Sequence, residues 1–364
     1  MNEPAVLILD VNSGDAKVID SGTDACKAGS SLKLSTSPDY RSLRPIEYGR
    51  ITDWNAAEAL WRHTLIDELH IRPDDRAILM TEAPLTSKHD REKTTQTMFE
   101  SLTVSALHIA TQPELAMCAS GRGTTGVVVD SGDGATHVVP VVDGVAVENA
   151  ITALNIAGSD LTDYMAYRLN ERGISRFEWR GAWSEGHAVA REIKERLCYV
   201  AVDWEKEVLN ANVQHSEDDE AFELPDGQSL AVGNERFYTT EVLFQPSILG
   251  LDVAGLQYTT YNVIHKCDTD LYGPLFGNII LVGGNTMFPG LSQRFKSELT
   301  SLNHDPNTSI DVYVPPDPRV SVWIGGSIVT SLSTFKDMCV SRTEYDEVGP
   351  AVVYRKHIKA LYID

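Results

Sequence analysis

The residues able to do chemistry are concentrated in one short run. Val127-Val128-Val129 leads into Asp130-Ser131-Gly132-Asp133-Gly134, and Ala135-Thr136-His137-Val138-Val139 leads out. β-Branched residues on both sides of an Asp, Ser and Gly turn predict a β-hairpin. The first strand ends in a carboxylate, and the glycines let backbone N–H groups approach an anion closely. Such a turn can hold a phosphate with its backbone while Asp130 faces a divalent cation. Plain chain reversal is the ordinary use of the same residues, and a second copy raises the chemical reading above it. Val6-Leu7-Ile8-Leu9-Asp10-Val11-Asn12-Ser13-Gly14-Asp15-Ala16-Lys17-Val18-Ile19 has the same layout. A repeated strand–Asp–turn–strand unit implies two related lobes facing each other across a cleft. Two such turns would clamp a triphosphate from opposite sides. Asp10 and Asp130 would then share one hydrated Mg2+, an ion that keeps several waters and takes one or two carboxylates.

The elements that must position these turns are legible in outline. Trp54 to Leu69 carries Ala57, Leu60, Trp61, Leu65 and Leu69 at helical spacing, with Asp53 as its N-cap. Ala77 to Met80 is a short buried strand, Lys88 to Ser101 a helix and Ala106 to Ala110 another strand. Gln112 to Ser120 is a helix with Pro113 in its first turn, ended by Gly121. Asp160 to Arg172 is a helix capped by Gly173, and His187 to Val208 reads as one long helix. Ser216 to Glu220 is a polar surface loop. Ile279 to Val282 is a buried strand ending in Gly283-Gly284-Asn285-Thr286. Strands alternating with helices predict an α/β fold with mixed sheets.

Composition narrows the class. At 364 residues the chain is long enough for two domains, and 42% hydrophobic with 23% charged residues is ordinary for a globular protein. A net charge of −21 argues against a general nucleic-acid or acidic-membrane surface. Five scattered cysteines without a Cys-x-x-Cys pair argue against a disulfide framework or a zinc site, and point to a reducing compartment. No basic, apolar leader begins the chain, and no apolar run is long enough to span a bilayer.

Taken in order, these segments resemble actin and its relatives over nearly the whole chain. The resemblance rests on Leu79-Met80-Thr81-Glu82-Ala83-Pro84-Leu85, Ala119-Ser120-Gly121-Arg122, Asp130 to His137 and Asp160-Leu161-Thr162-Asp163-Tyr164. It continues through Ile193 to Ala201, Glu223 to Gln228, Gly233 to Phe237 and Ser321-Val322-Trp323-Ile324-Gly325-Gly326-Ser327. It implies a two-lobed actin-like ATPase fold, with duplicated mixed β-sheet domains around a central nucleotide cleft that takes ATP or ADP and Mg2+ or Ca2+. Asp10 and Asp130 would hold the metal. Ser13, Gly14 and Lys17 would meet phosphates from one side, and Gly132, Asp133 and Gly134 from the other. Gln112 and His137 would position the attacking water. Gly158, Lys194, Glu195, Gly283, Gly284, Met287, Phe288 and Arg319 would surround the nucleoside. The lobes would be residues 1–119 with 321–364, and residues 120–320 with a smaller helical subdomain at about 159–250.

Departures from the family pattern qualify the function it implies. The run from Asp20 through Ser21-Gly22-Thr23-Asp24-Ala25 to Cys26-Lys27-Ala28-Gly29 also resembles the first phosphate loop. Asp10 with Lys17 is preferred, because a central strand must be buried and Ala5 to Leu9 is continuously apolar. The cost of that choice is Asn12, where the family usually has glycine. Between Ser31 and Pro45 only a short polar connector stands where the family carries a small subdomain that grips the next protomer. Ile248 to Leu256, which resembles the inter-strand plug, is present, and Tyr48 replaces a frequent histidine. The resemblance therefore implies an ATP-binding cytoskeletal or complex-scaffold protein with slow, regulatory ATP hydrolysis, in which ordinary filament formation is doubtful. Its partners would be actin or actin-related protomers, actin-binding proteins or a multi-subunit complex, without nucleic acid or membrane insertion. Its setting would be cytoplasmic and cytoskeletal, with a nuclear location open. A small-molecule kinase of the same nucleotide fold, a chaperone ATPase and a nucleotide-free scaffold are the other readings.

Overall fold

The computed structural model describes residues 45–47, 49–172, 185–213 and 219–356, with the backbone alone of Ala5–Leu9, Ala16–Asp20 and Ala25–Gly29. Consecutive valines at 127–129 are the key to its architecture. Val127 and Val129 enter one apolar core with Leu281 and Phe276, whereas Val128 enters another with Val139 and Ile280. Both faces of this strand are covered, so it lies inside a sheet. Gly126–Ser131 pairs antiparallel with Thr136–Val142 and parallel with Ile279–Val282, which pairs parallel with Val312–Tyr313. Val145–Ala146 and Thr152–Leu154 line the outer edge of Thr136–Val142.

The other sheet repeats this plan. Ala5–Leu9 pairs antiparallel with Ala16–Asp20 and parallel with Ala77–Glu82, which pairs parallel with Ala106–Thr111. Ala25–Gly29 extends the hairpin side, and Val340–Ser341 closes the opposite edge. Each six-stranded sheet thus contains a hairpin whose first strand is also the first of a parallel set. The mixed α/β sheets expected from the alternation are present, and the repeated unit seen in the sequence is repeated in the pairing.

Two helices join the sheets. Gln112–Ser120 has Pro113 in its first turn and ends at Gly121 with φ 63°. Its Leu115 packs with Leu79 and Val329 beneath the first sheet, and its Ala116 and Met117 pack with Val128 beneath the second. Ser321–Ser331 packs across it. A Cβ on Gly325 would fall 1.9 Å from the carbonyl oxygen of Leu115, so the two backbones touch where they meet.

Most other elements follow the sequence. Asp53 caps Trp54–Arg62 by accepting from the Ala56 N–H at 3.0 Å, and the helix continues as a wider π turn over His63–Glu68. The long helix expected over His187 to Val208 is a correction. It is two helices, Glu185–Leu197 and Trp204–Val213. The Val200 N–H leaves the helical pattern to donate to Pro289 O at 2.8 Å, and the Asp203 carboxylate accepts from the Lys206 N–H at the start of the second helix. Long-range pairing outweighs the helical spacing of the apolar residues here. Glu220, expected in a loop, begins the strand Glu220–Glu223, whose partner Ser229–Val232 takes up its backbone groups. Gly173 and residues 216–218 lie outside the described residues.

Candidate functional site

The site is built at the end of the central hairpin of the second sheet. Asp130 and His137 are paired across the hairpin, as are Ser131 and Thr136, so each pair shares a face. Ser131 Oγ and Thr136 Oγ1 lie 2.9 Å apart, and Thr136 Oγ1 donates to Ile156 O at 2.6 Å. The turn closes with Gly132 N–H donating to Ala135 O. Two further loops converge on it. Gly158 N–H donates to Gly132 O at 2.9 Å, and Ser159 N–H to Asp133 O at 2.8 Å. Asn285 Nδ2 donates to Ser131 Oγ at 3.1 Å and to Gly132 O at 2.8 Å.

Glycine is required where these loops touch. Gly283 has φ +90°, and a Cβ there would lie 2.3 Å from Ser131 O and 2.8 Å from Asp130 Oδ1. A Cβ on Gly158 would lie 3.1 Å from Asp133 Cα and from Asn285 Oδ1. Gly284 is exposed, with open space where its Cβ would be, and Gly134 is half-buried.

Charge gathers on Asp133. Its Oδ2 accepts from Arg191 Nη2 at 2.7 Å, and its Oδ1 lies 4.0 Å from Lys194 Nζ. Lys194 Nζ donates to Gly158 O at 2.8 Å. Burial holds the Lys194 ammonium below its ordinary pKa, against the pull of Asp133. Glu195, on the same helix, keeps an exposed side chain 3.9 Å from Arg191 Nε. Arg319 makes a two-pronged bond to Asp317 at 2.9 and 3.0 Å, which raises its pKa, with a smaller contribution from the charge of Glu195. Met287 is exposed, whereas Phe288 is buried in the core of the second sheet.

Two buried polar atoms lack a partner, one on Gln112 at the start of the helix Gln112–Ser120 and one on His137 across from Asp130. Gln112 is 2% exposed and its Oε1 accepts no hydrogen bond; His137 is 4% exposed and its Nδ1 is equally unpaired. Burial pushes the His137 pKa down to about 4, so the ring is neutral at physiological pH. Leaving such atoms unsatisfied costs about 1–3 kcal/mol each, and native interiors seldom accept that without a use.

The structure therefore brings together Asp130, Gly132, Asp133, Gly134, Gly158, Lys194 and Gly283 of the residues expected from sequence. Asp10, Ser13 and Gly14 lie outside the described residues; Lys17 lies in Ala16–Asp20, where only its backbone is described. Sequence reasoning did not single out Asn285, Arg191 or Ser159. Arg191 was findable: it stands three residues before Lys194 and so shares its helix face. Among the described residues no cluster of three His, Cys, Asp or Glu side chains forms a metal site, and no helix is long and apolar enough to cross a membrane.

A protein-family model described as Actin matches residues 20–178 and 182–358.

Proposed function

The chain belongs to the actin family, and from that premise we propose that it binds ATP or ADP with Mg2+ or Ca2+ and acts as a nucleotide-dependent structural subunit. The observation that carries this reading is the polar group around Asp130: a buried carboxylate at a strand end, close backbone approaches at Gly158 and Gly283, and the unsatisfied His137 ring nitrogen across the hairpin. These residues suit a hydrated cation and a phosphate chain, because they offer an oxygen ligand beside a glycine-rich turn and a buried ring nitrogen able to meet a water.

A bound cation neutralises charge on the phosphates during phosphoryl transfer. The protein groups do the placing. Asp130, with Asp10, would orient the waters of the cation, and the N–H groups of Asp133 and Gly134 would face phosphate oxygens while the Gly132 N–H closes the turn on Ala135 O. Gln112 Oε1 would accept a hydrogen from the attacking water, and neutral His137 would fix its second direction. Lys194 holds the Gly158 loop against the turn, Glu195 and Arg319 would flank the sugar, and Met287 would offer its thioether to the base with Phe288 behind it. Placement without a strong base gives slow hydrolysis, suited to regulation.

The N-terminal phosphate turn is proposed at Asp10 to Lys17. Ala5–Leu9 holds the same place in its sheet as Gly126–Ser131 holds in the other, so Asp10 corresponds to Asp130. Asp20 ends a strand running the opposite way, although the family match begins there. The lobes are proposed as residues 1–119 with 321–364, and 120–320 with a helical subdomain near 159–250. Exposed Leu251 and Val253 support a protein partner in a cytoskeletal assembly or complex, and the short connector from Ser31 to Pro45 supports capping or joining over long homopolymers.

Titration of the purified full chain with a fluorescent ATP analogue tests the reading. Saturable binding that disappears when divalent cations are chelated is expected; no binding under either condition overturns it. In the same assay Asp10→Asn is expected to weaken binding more than Asp20→Asn, and the reverse order would move the turn to Asp20.

A further inference from the structure

The helix Leu256–His265 has a divided surface. Leu256, Val263 and Ile264 enter the core of the second sheet. Tyr258, Asn262 and His265, at helical spacing, are turned to solvent. Tyr258 is 49% exposed, and among the described residues its ring and hydroxyl meet no aromatic, cationic or hydrogen-bonding partner. Further along the same face three rings form a stack. The His265 ring lies 4.1 Å from that of Tyr261 and 4.6 Å from that of Tyr272, centroid to centroid. Tyr272 also donates its hydroxyl to His265 O at 3.2 Å. The stack stands at the surface, with His265 exposed and both tyrosines half-buried.

Negative charge collects beside these rings. The chain leaves the helix at His265 and returns to the same ring at Tyr272. Asp268 and Asp270 are exposed on that short return, so the α-carbon of each stays within about 11 Å of His265 or Tyr272. Among the described residues neither carboxylate is in an ion pair. Lys266 is the only Lys or Arg between Gly250 and Gly277 in the sequence, and its ammonium donates to Thr152 Oγ1 at 3.1 Å. On the helix Leu291–Leu302, packed alongside, Arg294 is bonded to Glu241 and Lys296 lies 3.9 Å from Asp311. An anionic partner would be repelled here. An aliphatic one would strip water from the carboxylates without replacing it. A guanidinium group suits both features, because it stacks on an aromatic face and pairs with a carboxylate through a planar fork.

We propose that this face docks an arginine-bearing segment of a partner protein. One guanidinium stacks on Tyr258, and a second pairs with Asp268 or Asp270 beside the Tyr261, His265 and Tyr272 rings. His265 follows Tyr258 by two helical turns, about 10 Å along the axis. An extended chain covers that distance in about three residues, so the arginines stand three or four positions apart. The surface is separate from the nucleotide site and does not rest on that reading.

The test is calorimetric titration of the full chain with a capped glycine–serine peptide carrying arginine at every third position, beside the same peptide with lysine or leucine. Saturable binding of the arginine peptide at one per chain is expected, at least about threefold tighter than that of the lysine peptide. Tyr258→Ala should abolish the preference for arginine. Asp268→Asn with Asp270→Asn should weaken both charged peptides at least about threefold. Glu148→Gln with Glu347→Gln removes the same charge from exposed positions elsewhere and should leave the affinities unchanged. These side chains are all exposed, so the variants should keep the native circular dichroism. Equal affinity for arginine and lysine, an unaltered preference in Tyr258→Ala, or equal losses in the two double variants would overturn the proposal. Tighter binding of the leucine peptide, or a dimer of the chain that Tyr258→Ala dissolves, would give the face another occupant and overturn it too.

Discussion

Gly283 shows how much of the site depends on single atoms. Its φ of +90° and the 2.3 Å approach of Ser131 O leave no room for a methyl group. Gly283→Ala should lower the free energy of unfolding by about 2–4 kcal/mol, read as a lower urea midpoint with the slope unchanged. His137 makes a pH-dependent contribution. Its folded pKa, about 4, lies below the ordinary value of 6.5. Its stabilisation is thus complete above pH 6.5 and is lost as pH falls towards 4, by up to about 3 kcal/mol. Urea midpoints for the native chain should therefore drop more between pH 7 and pH 4.5 than those of His137→Gln; parallel curves would refute the assignment. At this scale the sequence reveals residue types but not distances. Asp130 and its glycines were legible because a hairpin turn has few alternatives. Asn285 was not, because its role is a pair of bonds to a loop about 150 positions away in sequence. Nor was the burial of Phe288 beside the exposed Met287, which depends on how the Gly283 turn leaves its strand.

At the scale of elements, stability rests on a few close junctions. Gly325 lets Ser321–Ser331 meet the Leu115 backbone, the junction between the two cores. Gly325→Ala should cost at least about 3 kcal/mol, because backbone rather than a flexible side chain must yield, and a drop in thermal midpoint checks it. A second junction is ionic. Arg294, on the helix Leu291–Leu302, bonds Glu241, which is 0% exposed, and also Ala201 O and Glu298. Burial raises the Glu241 pKa while Arg294 holds it down. Arg294→Ala leaves that buried carboxylate without a cation, with only the Gln245 amide donating to it at 2.8 Å, and should cost about 3–5 kcal/mol, whereas Arg294→Met with Glu241→Leu should recover most of the loss. Equal unfolding midpoints for the single and double variants would contradict this. Strands and caps were legible in the sequence: Asp53, Pro113 and Gly121 act locally, as their types predict. The break at Cys198 to Asp203 was hidden because the Val200 N–H is claimed by Pro289, far along the chain.

At the scale of the whole molecule, the repeated hairpin-and-parallel plan was the most legible feature, since two copies of one sequence pattern require two copies of one pairing. Helix crossings were not legible, because they arise only when both sheets are in place. The proposed assembly behaviour belongs here too. Pure protein sedimented with Mg-ATP should stay in the supernatant, and ordered filaments in the pellet would contradict the role assigned to the short connector. The central claim is that Asp130 helps grip a cation-bound nucleotide inside a hinged actin-family molecule. Its most direct test is the ATP affinity of Asp130→Asn against the native chain across a Mg2+ titration. The account predicts at least about a tenfold loss at saturating Mg2+ and a weaker dependence on the cation. Unchanged affinity and unchanged Mg2+ dependence in a folded Asp130→Asn protein would contradict it.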